Sequence, residues 1–183
     1  MEYHMSKNEQ KLLSMSFLPI ILILVLIFGA GYLLIEGEVK LPWMRNDNTL
    51  EVRRLEGFPT TVWTKEPLTK QRIVIKSQEE LEQFLKNADP DGNLALGEKI
   101  DFDKEYLLGV SSETEETEGN DIKVKRVNID KDSNTLKVIV RQNKPGDSCT
   151  YDVDPNAPVD LVAIGKTESN IEFETTKETL ECN

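Results

Sequence analysis

Cys149 and Cys182 are the only cysteines of the chain and the side chains best suited to covalent chemistry. They do not form a CxxC arrangement, and the only histidine, His4, stands near the other terminus, so the sequence offers no Cys/His metal site. In an oxidising compartment we expect a disulfide between Cys149 and Cys182, which would tie the C-terminal tail to an inner loop. In a reducing compartment they would be two free thiols.

The sequence carries no catalytic motif with a fixed spacing. No histidine follows His4, which excludes a hydrolase with a histidine base in the C-terminal part, and there is no GxSxG, P-loop or GxGxxG pattern. We therefore predict no catalytic residue, no cofactor and no metal. A carboxylate pair or a Ser/Lys pair needs no fixed local spacing, so an envelope hydrolase of that kind stays open as an alternative.

Residues 113–121, with the sequence ETEETEGND, hold a dense group of acidic side chains, with five acids in nine residues. A divalent cation or a basic partner surface would be attracted to such a run, which makes a cation-responsive module a further alternative. The other interpretation is a solvated, mobile hairpin loop whose charges repel one another. The acidic residues concerned are Glu113, Glu115, Glu116, Glu118 and Asp121.

Two turn-rich segments, KPGDSCT at 144–150 and DPNAP at 154–158, flank a short stretch of chain. Loops of this kind at the ends of strands often present a binding surface. Proline and glycine also simply set turn angles and end strands, and this explains the segments equally well. The candidate partner-binding residues are Pro145, Gly146, Pro155 and Pro158.

The secondary-structure elements that carry these side chains can also be predicted. The clearest element is the apolar run FLPIILILVLIFGAGYLLI at residues 17–35. A helix of this length spans about 28 Å, close to the hydrocarbon core of a bilayer. We predict a cytoplasmic tail (1–16), a single transmembrane helix (17–35), a linker (36–48) and an extracytoplasmic domain (49–183) at the cell membrane. A cleaved signal peptide is the alternative.

The charge of the chain restricts its partners. With 22 Lys and Arg against 33 Asp and Glu, the formal net charge is -11, and it falls on the part after the apolar run. Nucleic acids reward clustered basic residues, so we expect no nucleic-acid partner.

The C-terminal part contains one sequence pattern that predicts a helix. Ser77 begins the sequence SQEE, a capping box in which the Ser77 hydroxyl and the Glu80 carboxylate would satisfy each other's backbone amides. We predict a helix from this point to about residue 89.

Strand signals surround this helix. The apolar run at 106–111 predicts a central strand, and the alternating segments 122–129 and 135–141 predict a hairpin with a bulge near Arg126. A further apolar run at 160–164 follows a proline-rich turn. One helix with six or more strands in meander order predicts an α+β domain built on a mainly antiparallel β-sheet or a small barrel.

Several short pieces of this region follow one another in the order IVI at 73–75, IDF at 100–102, TEG at 117–119, PG at 145–146 and the segment from Pro158 to Lys166. Taken in this order, they resemble the C-terminal domain of the PrcB-like family, which is named for a protease-complex subunit. The resemblance covers about residues 72–173. It implies a small, non-catalytic α+β module of the cell envelope, associated in one case with stabilising or assembling a protease, and it names no catalytic residue.

Together these features predict a non-catalytic, membrane-anchored, extracytoplasmic binding or accessory module. Its expected partners are the membrane, through the single span, and another envelope protein such as a protease.

Overall fold

The computed structural model of the chain describes residues 48–182. The predicted tail (1–16), the predicted membrane helix (17–35) and the linker (36–48) apart from Asn48 lie outside the described residues. Within the described part, no helix has both the length and the apolar character needed to cross a membrane.

Residues 48–182 are mostly β-sheet with a single helix, which confirms the α+β prediction at this level. The elements in chain order are β1 (Thr49–Leu50), β2 (Arg53–Arg54), β3 (Thr60–Trp63), β4 (Gln71–Ile75), α1 (Gln78–Ala88), β5 (Glu105–Ser111), β6 (Asp121–Asp130), β7 (Thr135–Pro145), β8 (Asn156–Gly165) and β9 (Asn170–Leu180).

The strands form two open sheets. The four-stranded sheet has the order β1-β6-β7-β9, and the five-stranded sheet has the order β2-β8-β5-β4, with β3 also paired to β8. The predicted small barrel and the predicted meander order are both wrong. The reason is that β5 and β6, and likewise β7 and β8, are consecutive in the chain but lie in different sheets, so these connections cross between sheets instead of closing hairpins.

The last strand, β9, runs parallel to β7, whereas the other strand pairs of the described part are antiparallel. Parallel neighbours need a crossover connection. Here the crossover is β8, because the chain leaves β7, passes through the five-stranded sheet and returns to the four-stranded sheet as β9.

The five-stranded sheet is the middle layer. One face packs on α1 and on apolar side chains between residues 94 and 102, and the other face packs on the four-stranded sheet. Strands β5 and β8 are therefore covered on both faces, which explains their continuous apolar sequences. The prediction that 106–111 is central is confirmed, because β5 lies between β8 and β4.

Helix α1 begins after Ser77, as predicted. The Ser77 hydroxyl accepts the N–H of Glu80 at 3.3 Å, but the Glu80 carboxylate accepts the N–H of Lys76 at 2.6 Å, one residue before the predicted donor. On the buried face, the Phe84 ring lies over β5 at Gly109, where a Cβ would stand 2.8 Å from the ring. Glycine at this position therefore allows the helix to approach the sheet.

The predicted hairpin and bulge are both present. Strands β6 and β7 pair antiparallel around the turn at 131–134, and their register shifts between Val124 and Arg126. The bulge occurs where the apolar alternation of the sequence slips by one residue.

A half-buried ion pair joins the two sheets through the backbone of β6. Asp160 of β8 is 0% exposed, and its Oδ2 accepts the N–H of Val124 on β6 at 2.6 Å. The same oxygen lies 2.7 Å from Nη1 of Arg54 on β2. Arg54 also donates from Nη2 to the carbonyl oxygen of Val124.

This ion pair takes the place of a missing strand. β1 pairs with β6 only at Val127 and Asn128, so the backbone of Val124 has no strand beside it on that edge. The Asp160 carboxylate supplies the acceptor and the Arg54 guanidinium supplies the donor that a neighbouring strand would otherwise offer.

We predict that Asp160→Ala lowers the free energy of unfolding by about 1–3 kcal/mol, because it leaves the buried N–H of Val124 without its acceptor. The substitution leaves the Val124 N–H and the Arg54 guanidinium without their acceptor. Urea denaturation measures the effect, and Asp154→Ala, at an exposed position in the preceding connection, is the matched control. Equal unfolding midpoints for the two variants would contradict the role given to Asp160.

Candidate functional site

The large exposed apolar side chains of the described part lie at one end of the two sheets. Trp63 ends β3 (50% exposed), Leu180 ends β9 (47%), and Tyr151 (40%) and Val153 (80%) lie in the connection between β7 and β8. Four such exposed side chains grouped at one end are a typical mark of an interaction surface. We call this region, formed by residues 63–70, 112–120, 146–155 and 180–182, the loop end.

Hydrogen bonds tie these segments into one unit. The Thr114 hydroxyl accepts the N–H of Leu68 at 2.8 Å and donates to the carbonyl oxygen of Glu66 at 2.7 Å. Glu115 and Asn156 exchange two backbone hydrogen bonds of 2.8 and 3.0 Å. The loop end is therefore held by its own backbone and is positioned by the strands below it.

The predicted acidic loop belongs to this surface, but its carboxylates are not all free. Glu115 pairs with Lys144 of β7 at 2.9 Å, and Asp121 lies 3.9 Å from Arg141. The remaining acids, Glu113, Glu116 and Glu118, have no ion pair among the described residues. The segment is not the predicted hairpin loop, because β5 and β6, which it connects, lie in different sheets.

A close contact orders the tip of this segment. Gly119 has a φ of +87° and packs against the Tyr151 ring, where a Cβ would stand only 2.6 Å from ring atoms. Next to it, the Glu118 N–H donates to the carbonyl oxygen of Asp152 at 3.3 Å. Glycine is therefore needed at 119 both for the backbone angle and for the approach of the aromatic ring.

The turn residues predicted to bind a partner separate into two groups. Pro145 ends β7, Gly146 is buried and donates its N–H to Leu180 at 2.9 Å, and the Pro155 carbonyl oxygen accepts the N–H of Thr64 at 3.1 Å. These three residues lie at the loop end, where they support the exposed side chains.

The prediction that Pro158 lies in a partner-binding loop is wrong, because this residue is buried inside β8. Its carbonyl oxygen accepts the N–H of Ser112 at 3.0 Å, just past the last paired residue of β5, Ser111. A proline lacks the N–H that would continue the ladder, so it fits at the point where the neighbouring strand ends.

The predicted disulfide is confirmed. Cys149 and Cys182 are bonded, with their Cα atoms 5.0 Å apart and a sequence separation of 33. The Ser148 hydroxyl adds to this link, since it donates to Glu181 at 2.8 Å and accepts the N–H of Cys182 at 3.1 Å. The end of β9 is thereby fastened to the connection that carries Tyr151 and Val153.

At the opposite end of the sheets, two aspartates interact with neighbouring polar or charged groups. There the Lys104 ammonium lowers the pKa of Asp101, and the Ser133 hydroxyl lowers the pKa of Asp130. No group of three or more His, Cys, Asp or Glu side chains in residues 48–182 is arranged to hold a metal ion. The arrangement at the loop end suits contact with another surface, through apolar side chains surrounded by carboxylates.

Sequence reasoning located the loops but missed their exposed apolar residues. Tyr151 and Val153 stand inside a turn-rich segment, where apolar side chains have no core to enter, and this was the available signal. Trp63 follows the inward-facing Val62 in β3, so strand alternation directs it outward.

We predict that Gly119→Ala destabilises the chain by about 1–3 kcal/mol, the usual cost of a strained backbone position. The methyl group would also displace the Tyr151 ring. Thermal unfolding measures the change, and Gly165→Ala is the control, because a Cβ there meets nothing within 4 Å. Equal melting temperatures would show that the Gly119 contact is not tight.

We predict that the double variant Cys149→Ser/Cys182→Ser loses about 2–4 kcal/mol of unfolding free energy, because the crosslink restricts the unfolded chain. Urea denaturation of the unreduced chain and of the double variant gives the difference. The parent chain in a reducing agent should match the variant, and a stability unaffected by reduction would contradict the prediction.

Comparison of the chain with protein-family models, with curated proteins and with solved structures found no match. The functional interpretation therefore depends on the residues and the geometry of the loop end.

Proposed function

We propose that this chain is a membrane-anchored, extracytoplasmic binding or accessory module that docks a partner protein on its loop end. The observation that carries the proposal is the grouping of Trp63, Tyr151, Val153 and Leu180, all exposed, at one end of the described domain. Aromatic side chains such as Trp63 and Tyr151 are enriched among the residues that supply most of the binding energy at protein interfaces.

The charges around these side chains indicate the chemistry of the partner. Glu113 and Glu116 are exposed in one segment, and Asp147, Asp152 and Asp154 are exposed in the neighbouring one. Complementary charge steers association and disfavours wrong partners. The partner surface that fits is an apolar pocket bordered by lysine or arginine.

The internal bonding of the loop end supports the same function. Its segments are held by backbone hydrogen bonds, by the Gly119–Tyr151 contact and by the disulfide. A surface ordered before binding loses less conformational entropy on association. The side chains that would contact the partner are thus presented on a fixed support.

The location and the wider role are part of the proposal. The apolar run at residues 17–35 supports a single membrane span, and a disulfide agrees with an oxidising compartment outside the cytoplasm. The resemblance to the PrcB-like family supports a narrower role, in which the domain stabilises or assembles an envelope protein such as a protease.

The test is site-specific photocrosslinking of the full-length chain in intact cells. A photoreactive amino acid at position 153 should capture one envelope protein, whereas the same group at position 131, in the turn at the opposite end, should not. The purified partner should bind the Val153→Asp variant about tenfold or more weakly, because burying the new carboxylate in the apolar pocket of the partner is costly.

Lys131→Asp is the matched control, since it also places an aspartate at an exposed position. Equal capture from positions 131 and 153, or unchanged affinity of the Val153→Asp variant, would refute docking at the loop end.

A further inference from the structure

An opening lies between the free edges of the two sheets. β4 is the last strand of the five-stranded sheet and β9 is the last strand of the four-stranded sheet, so each pairs on one side only. Val74 of β4 and Ile171 of β9 both border the core between the sheets, and a cavity of about 180 Å³ is lined by both residues. We call this opening the side slot.

Arg72 stands at one end of the side slot. It is two residues from Val74 on β4, so both side chains lie on the face toward the other sheet. Its Nη1 donates to the carbonyl oxygens of Gln71 and Ser111, at 2.5 and 2.7 Å, while its Nε and Nη2 are buried without a partner among the described residues.

The Nε and Nη2 atoms of the Arg72 guanidinium lack a hydrogen-bond acceptor. Burial lowers the pKa of Arg72 to about 10, so the group is still a cation at neutral pH. A buried donor on a charged group is costly when it has no acceptor. The free Nε and Nη2 form one edge of a planar fork, which matches the two oxygens of a carboxylate.

Two lysines add positive charge at this end. Burial, and then repulsion from Arg72 and Lys177, lower the pKa of Lys70, and Glu113 opposes this effect. Lys177 is placed on the same face of β9 as Phe173 by strand alternation, and Glu172, Glu174 and Glu178 are placed on the other face. Among residues 48–182, no carboxylate pairs with these three cations within 4.0 Å.

The other end of the side slot is also cationic. The ammonium groups of Lys76 and Lys166 lie 5.4 and 5.6 Å from the centre of the Tyr106 ring. Lys76 and Tyr106 line the cavity together with the side chains of Thr167 and Ser169. A cluster of cations on a chain of net charge -11 is a local feature that the overall composition does not account for.

The spacing of the two cationic ends fits an extended chain. Arg72 and Lys76 are four residues apart along the edge of the five-stranded sheet, a distance of about 13 Å. Val74 lies between them and lines the cavity together with Ile171. An extended peptide has the same repeat, so its residues i and i+4 would reach both ends while residue i+2 meets the apolar middle.

We propose that the side slot binds an extended peptide segment with two acidic side chains four residues apart and an apolar residue midway between them. One carboxylate meets Nε and Nη2 of Arg72, and the other meets the ammonium groups of Lys76 and Lys166. The peptide backbone pairs with a free strand edge, as in other cases of strand addition. Entry requires side chains at the rim to rotate, and the long, exposed Lys70 and Lys177 are suited to this.

The test follows the Arg72 Nε–H signal by NMR in the full-length chain, labelled with ¹⁵N-arginine in lipid nanodiscs. The probe is the capped peptide Asp-Thr-Val-Thr-Asp, and the control peptide is Asn-Thr-Val-Thr-Asn. The acidic peptide should shift the signal saturably, and the neutral one should bind about tenfold or more weakly, because charge-assisted hydrogen bonds are lost.

Variants at exposed positions complete the test without disturbing the core. Lys76→Gln and Lys177→Gln should each weaken peptide binding about 2–5-fold, the range for a partly exposed ion pair. Lys131→Gln removes a charge outside the slot and should have no effect. Arg72→Lys assigns the signal, and if that variant does not fold, the two glutamine variants still decide the outcome.

Three results would overturn the proposal. They are an unmoved Arg72 signal, equal binding of both peptides, and sodium acetate or phosphate binding as tightly as the acidic peptide, which would indicate a simple anion site. Peptide binding is measured without the docking partner, and the slot variants Lys76→Gln and Lys177→Gln lie outside the loop end. Failure of one proposal is therefore distinguishable from failure of the other.

Discussion

The contact between Asp160, Arg54 and the backbone of Val124 is the polar joint on which the two-sheet arrangement depends. Most of the remaining interface between the sheets is apolar and non-directional, so it favours burial without fixing how one sheet lies on the other. A charged group that is fully buried must have its partners in place. The joint therefore selects one arrangement of β2, β6 and β8 from the many that would bury similar area.

The same arrangement determines where the exposed side chains collect. The β5–β6 and β7–β8 connections both cross between the sheets at one end, and the end of β9 reaches that end as well. Crossing connections cannot be as short as hairpin turns, and their backbone groups must pair with one another. Glu115 with Asn156, and Glu118 with Asp152, show this pairing. The loop end is thus a consequence of the topology.

Caps, bulges and turns could be predicted from the sequence, but the assignment of each strand to one sheet or the other could not. The Ser77 cap, the bulge at Arg126 and the turn at 131–134 depend on neighbouring residues, and all three are present. Strand alternation indicates which face of a strand is buried but not which strand lies beside it, so the crossover to β8 and the parallel β9 were not predictable. Pro158 and Glu115 show the same limit, because each is explained by a partner more than 25 residues away, Ser112 and Lys144 respectively.

The parallel attachment of β9 also explains why the side slot exists. Because β9 pairs with β7 alone and β4 pairs with β5 alone, both sheets end on the same side of the domain, and no further strand of residues 48–182 covers the gap. An exposed pair of edges invites unwanted strand addition, and charged side chains facing the gap are a common protection against it. Positively charged side chains facing the gap disfavour the addition of most extended segments but attract acidic ones. Arg72, Lys76 and Lys177 would thus make the gap selective for acidic segments. The same residues would protect the strand edges and bind the peptide.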